Sequence, residues 1–159
     1  MTNLRPLILV AVLLSDCALA QTKLVVAQQV YRSPDGKLIA QVTSVNKAHE
    51  SRAEIHRSNG KLLLVQDYSS TDMEHGQVVC KAAWSPDSSF FVFATSNTGG
   101  HSPLARPTFS YSREQNRIYD LDRFLGYITD CDFTLKAPNR ISTKSNGETV
   151  QAALGAVIK

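Results

Sequence analysis

The sequence has no apolar run long enough to span a membrane as a helix. Its longest, "LILVAVLL" (Leu7–Leu14), ends after eight residues at Ser15 and Asp16, whereas a spanning helix needs about 20. Charge of one sign is also lacking. The balance of 17 Lys and Arg against 14 Asp and Glu leaves +3, without a Lys/Arg run, which argues against nucleic acid as a partner. There are no P-loop or Rossmann glycines, no HExxH or zinc-type Cys/His spacing, no paired-carboxylate motif and no Gly-x-Ser-x-Gly elbow. No residue stands out as catalytic, as a cofactor contact or as a metal ligand, so no cofactor is expected and a binding module is preferred to an enzyme.

What is there begins with an address. One basic residue (Arg5), the apolar run and the small residues of "ALA" (Ala18–Ala20) form a secretory signal peptide over residues 1–20. A membrane anchor is excluded by length. Lipidation at Cys17 is a rival, disfavoured because Asp16 stands where a small residue is needed. Residues 21–159 are then a single exported β domain, secreted or periplasmic, with no membrane contact after cleavage. Its 43% hydrophobic content suits a globular fold. Arg5 and Asp16 cancel, so the charge is unchanged by cleavage. Two cysteines remain, Cys80 and Cys131, and an oxidising compartment favours a disulfide between them. The alternative is two free buried thiols, because spacing alone does not bring the side chains together.

The chain repeats itself. "YRSPDGKLIAQVTS" from Tyr31 and "AWSPDSSFFVFATS" from Ala83 share Ser-Pro-Asp, two small or polar residues, and a strand-like run. Pro presets one turn dihedral and Asp or Gly completes the turn. Later in the first copy, Asn59-Gly60 signals a hairpin, and "TFSYSREQNRIYDLD" follows the same plan with a longer turn. Pro34, Pro86 and Pro138 stand 52 residues apart. The third copy is degenerate, with Ala137 for Ser and Asn139 for Asp. Each full copy predicts four short strands in an antiparallel meander, and a period of about 50 is that of propeller blades. Repeat 1 covers about residues 30–69, repeat 2 about 80–124, and the degenerate start with the C-terminal segment 130–159.

Ser33-Pro34-Asp35-Gly36-Lys37-Leu38 and Trp84-Ser85-Pro86-Asp87-Ser88-Ser89-Phe90 resemble the core of TolB-like, WD-type β-propeller repeats. The resemblance covers about two blades. It implies blade-like β structure and a scaffold role, without naming an activity. Propellers usually close with four to eight blades. This chain could instead pack its sheets face to face, assemble as a ring of copies, or cover its edges with its own ends. The last, a compact monomer with Lys23–Val30 and the C-terminal segment as covers, is preferred.

That C-terminal segment carries Val150, Ala153, Leu154, Val157 and Ile158 at helical spacing. Ser145 and Glu148 suggest a capping box. One short helix is expected there, with a closing strand as the rival. The overall expectation is a mainly β fold of antiparallel, propeller-blade-like meanders.

Two polar stretches could carry function. The loop Asn97–Pro107 is turn-rich and distinguishes the second repeat, and a loop on a rigid sheet suits recognition. Asn97, Gly99, Gly100, His101, Ser102 and Arg106 are its candidate contacts, toward another protein or a second copy of the chain. "STDMEHG" brings Asp72, Glu74 and His75 together, most simply as a solvated inter-repeat loop. The alternative is a small secreted hydrolase, or a metal- or carbohydrate-binding protein, using His101 with Ser102 or the 72–75 cluster. Of the aromatics, Phe91 and Phe93 alternate on one face as core, and Trp84 anchors the turn after it. His49 and His56 are expected as surface strand residues.

Overall fold

The computed structural model describes residues 27–99 and 105–158. Within them the Ser-Pro-Asp turns set the pattern. In the first, the Ser33 hydroxyl accepts from Leu38 N–H at 2.9 Å and donates to Asp35 Oδ1 at 2.7 Å. The second repeats this network. The Ser85 hydroxyl accepts from Phe90 N–H at 3.0 Å and donates to Asp87 Oδ1 at 2.6 Å. Both serines are buried, so each hydroxyl satisfies a backbone donor that water cannot reach. The residue after each Asp has positive φ, Gly36 at 69° and Ser88 at 62°, as the turn requires.

Each turn opens a meander. The first sheet comprises β1 (Gln28–Arg32), β2 (Leu38–Ser44), β3 (Ser51–Arg57) and β4 (Leu62–Asp67), in that order. The second comprises β5 (Gln77–Trp84), β6 (Phe90–Asn97), β7 (Thr108–Ser112) and β8 (Arg117–Asp120). A one-turn helix, α1 (Asp122–Leu125), leads to a three-stranded third sheet of β9 (Ile128–Lys136), β10 (Arg140–Ser145) and β11 (Glu148–Ala153), followed by α2 (Leu154–Val157). All pairings are antiparallel. The first strands lie side by side, β1 against β5 and β5 against β9.

The turns lock this order. Asp35 N–H donates to Ser88 Oγ at 3.0 Å, and Asp87 N–H donates to the Pro138 carbonyl at 3.1 Å. The same position of each turn therefore holds the next turn along the chain. Asn139, which replaces the Asp of the third copy, donates from Nδ2 to Asp87 Oδ2 at 2.7 Å.

The core has two layers sharing one strand. On β6, Phe91 and Phe93 face the first sheet and pack with Leu38, Ala40, Ile55 and Trp84. Phe90, Val92 and Ala94 face the third sheet and pack with Phe133, Ile141 and Leu154. Period-two alternation with both faces apolar marks a central strand. Trp84 anchors its turn as expected, its ring 5.2 Å from that of Phe91 and its Nε1–H donating to the Tyr31 carbonyl at 3.0 Å. Cys80 on β5 and Cys131 on β9 form a disulfide. Closing a loop of about 50 residues stabilises the fold by roughly 4 kcal/mol in the chain-entropy account.

Several local expectations are corrected. The C-terminal helix is present but starts only at Leu154, because Glu148–Ala153 pairs with β10 as a strand. Ser145 and Glu148 flank the Asn146-Gly147 turn of that hairpin rather than capping a helix. The helical spacing of Val150 and Ala153 was coincidental with a short strand running into one helical turn. Within Lys23–Val30 the described strand begins at Gln28, and it is the first strand of the first sheet rather than a cover. The third copy builds a sheet of its own. His49 has φ 61° in the turn before β3, whereas His56 does lie on a strand. The expected signal peptide, residues 1–20, lies outside the described residues.

Candidate functional site

The expected recognition loop leaves β6 at Asn97 and rejoins β7 at Thr108. Asn97, Gly99 and Arg106 are placed; Gly100, His101 and Ser102 lie outside the described residues. The outgoing arm is tied down at Thr98, whose N–H donates to the Gly76 carbonyl at 3.0 Å. The returning arm is held from both sides. The Pro107 carbonyl accepts from Thr95 N–H at 2.8 Å, and Arg106 N–H donates to the Ile128 carbonyl at 2.9 Å. Ala105 is buried.

The residue that organises this end is one the sequence did not flag. Glu50 is fully buried. Its carboxylate accepts from Asn46 Nδ2 at 2.6 Å, Ser70 N–H at 2.8 Å, Gly76 N–H at 2.8 Å and the Thr98 hydroxyl at 2.7 Å. Three separate segments, 45–50, 69–76 and 97–99, therefore meet on one carboxylate. Burial alone pushes its pKa up, but the bonds from Ser70, Thr98 and Asn46 outweigh this and hold it at about 2. Gly76 is required by the close approach, since a Cβ there would overlap the Glu50 carboxyl. A Cβ at Gly99 would overlap the Glu74 carbonyl. No periodicity or motif marks Glu50, which sits one residue before the alternation of β3 begins. Its partners come from the far sides of two other loops, and only the fold brings them together.

The same network brings the two candidate stretches together. Asp72, Glu74 and His75 lie in the 69–76 loop, against the arm that carries Gly99. His75 Nδ1 is 2.5 Å from Asp72 Oδ2, and Asp72 Oδ1 accepts from Glu74 N–H at 3.0 Å. These bonds hold the Asp72 carboxyl well below its usual range, and the Asp72 partner pushes the His75 imidazole up. An Asp bonded to its own loop backbone is a turn-forming residue. Among the described residues no three His, Cys, Asp or Glu side chains gather closely enough to hold a metal ion.

No protein-family profile matches the chain, and no curated protein does. Among solved structures, the crystal structure of TolB from Acinetobacter baumannii is similar at a TM-score of 0.46 and 16% identity, over 84% of this chain and 31% of that one. The chain thus spans about a third of that protein's length.

Proposed function

We propose that the chain is an exported, non-enzymatic binding module that presents the loop Asn97–Pro107 to another protein. The observation that carries this reading is the Glu50 network. A buried carboxylate spends its acceptor capacity on fixing the 69–76 loop against the outgoing arm of the 97–107 loop, while β6 and β9 hold the returning arm. A loop rooted on both sides in rigid sheets is positioned for recognition at low ordering cost. Asn97, Gly99, Gly100, His101, Ser102 and Arg106 are the proposed contacts. Export accords with the signal-peptide pattern of residues 1–20 and with the Cys80–Cys131 disulfide. Among the described residues no helix is long and apolar enough to cross a membrane.

Site-specific photo-crosslinking in the exporting cell tests this. A photoreactive side chain replacing Asn97 should give one discrete heteroadduct, and the same group replacing Arg140, on β10, should give none. Identical adduct patterns at both positions would overturn the reading. So would an ester- or glycoside-hydrolysing activity of the purified chain that His101→Ala abolishes.

A further inference from the structure

A second surface lies along the seam where the first and second sheets meet. The outer edge strands of these sheets are β4 and β8. Two clefts open along their seam, of about 570 Å³ and about 410 Å³. Asn116 Nδ2, donating weakly to the Leu63 carbonyl at 3.5 Å, stands beside the first.

The first cleft is basic. Lys37, Arg57 and Arg113 line it, and no Asp or Glu does. Asp35 takes up Arg113 at 2.6 Å. Among the described residues neither Lys37 nor Arg57 has an ion-pair partner, whereas Arg52 on the neighbouring strand face is paired to Asp67 at 2.9 Å. The floor is Leu38, Leu63 and the buried Tyr111, whose hydroxyl donates to Asn116 Oδ1 at 3.0 Å. Burial raises the Tyr111 pKa, and Arg113 and Arg57 both pull it back, which places their positive potential over that floor. The second cleft is aromatic, with Tyr68, Phe109, Tyr119 and Phe124, the last 46% exposed. It adds Arg117 and Arg123 against a single carboxylate, Asp120.

We infer that this seam binds an extended acidic segment of a partner protein, with carboxylates on Lys37 and Arg57 and an apolar side chain in the aromatic cleft. Charge complementarity selects the sign of the occupant. Its shape follows from the seam. A small free anion would fill one end and leave the apolar floor and the aromatic cleft exposed to water, whereas a chain covers both. The six residues of β4 run about 20 Å and offer a main-chain edge beside the clefts, the arrangement used in strand addition. No residue of the 97–107 loop lines either cleft, so either reading can fail without the other.

Fluorescence anisotropy on the mature chain tests it, with an end-blocked, labelled hexapeptide alternating Glu and Leu as probe and its Gln/Leu counterpart as control. Saturable binding of the acidic peptide is expected, at least ten-fold tighter than the control. Arg57→Gln and Lys37→Gln should each weaken it at least five-fold without shifting the melting temperature. Arg140→Gln, on β10 of the third sheet, should leave it unchanged. Absence of saturable binding, equal affinity for both peptides, or indifference to the Arg57 and Lys37 variants would overturn the assignment. Full displacement by 1 mM inorganic phosphate (about that concentration adds little ionic screening) would also overturn it, and would assign the cleft to small anions.

Discussion

At the scale of single residues, Glu50 is where stability and presentation of the loop coincide. In Glu50→Gln the amide NH2 must face donors that a carboxylate oxygen now accepts, stranding either Gly76 N–H and the Thr98 hydroxyl on one side or Ser70 N–H and Asn46 Nδ2 on the other. Such a change at a buried, multiply bonded carboxylate should cost about 2–4 kcal/mol, measured by urea denaturation at pH 7. The pH dependence has a definite sign. The folded pKa of about 2 lies below the ordinary 4.5, so folding favours the ionised form. The stabilisation from Glu50 is complete above pH 4.5 and is lost as pH falls toward 2. The wild-type chain should therefore lose stability between pH 5 and pH 2 more steeply than Glu50→Gln, and parallel pH profiles would contradict this. Gly76 supplies an independent check. Gly76→Ala should destabilise by about 1–3 kcal/mol through its collision with the carboxyl. In a Glu50→Ala background most of that cost should vanish, and a double-mutant cycle reads the coupling. Additive losses would mean that the collision is not with Glu50.

At the scale of elements, the Ser-Pro-Asp hairpins are where sequence and structure agree most closely, because turn chemistry is local. The Ser hydroxyl, the preset Pro and the positive-φ residue after Asp act within six residues. Ser85→Ala should cost about 1–2 kcal/mol, since it strands the buried Phe90 N–H. Ser85→Gly should cost no less, and a thermal melt of both variants checks the pair. A neutral Ser85→Ala would mean that the Ser hydroxyl is dispensable, as the natural Ala137 is in the third turn. Less was legible where local signals compete. Val150 to Ile158 fits a helical stripe, yet its first half takes the open edge of β10, since pairing a strand edge outweighs the weak propensity of a short segment containing Gly155. The third sheet is weakly marked in the sequence for a related reason. Its outer positions are polar, and of the inward residues of β10, Ile141, Thr143 and Ser145, only Ile141 is apolar. The clustering of Glu50, Ser70, Gly76 and Thr98 was invisible because it joins residues up to 48 apart through loops with no periodicity. The basic cleft was invisible likewise, since Lys37, Arg57 and Arg113 belong to three different hairpins.

At the scale of the whole molecule, the question is whether three sheets are a finished object or part of a ring. Their end faces decide it. On the first sheet the register sets Ile39, Gln41 and Thr43 opposite His56, Glu54 and Arg52, and this face carries its own ion pairs, His56–Glu54 at 3.0 Å and Arg52–Asp67 at 2.9 Å. On the third sheet Arg140 stands between Lys136 and Ala153, and Ser142 between Thr134 and Gln151. Between the sheets, by contrast, the facing positions are Phe, Val, Ile and Leu. Packing an end face against another blade would bury the ion pairs of the first sheet, or Lys136 and Arg140 of the third, at a desolvation cost of several kcal/mol per charge, and would gain little apolar area. Residues 21–159 are therefore expected to elute with the mass of one copy in size-exclusion chromatography with light scattering. Its apparent mass should not rise across a hundred-fold increase in loading concentration. A stable trimer or tetramer would mean that these polar faces are covered after all, and would move the search for a partner from the outer seam and the 97–107 loop to the surfaces between copies.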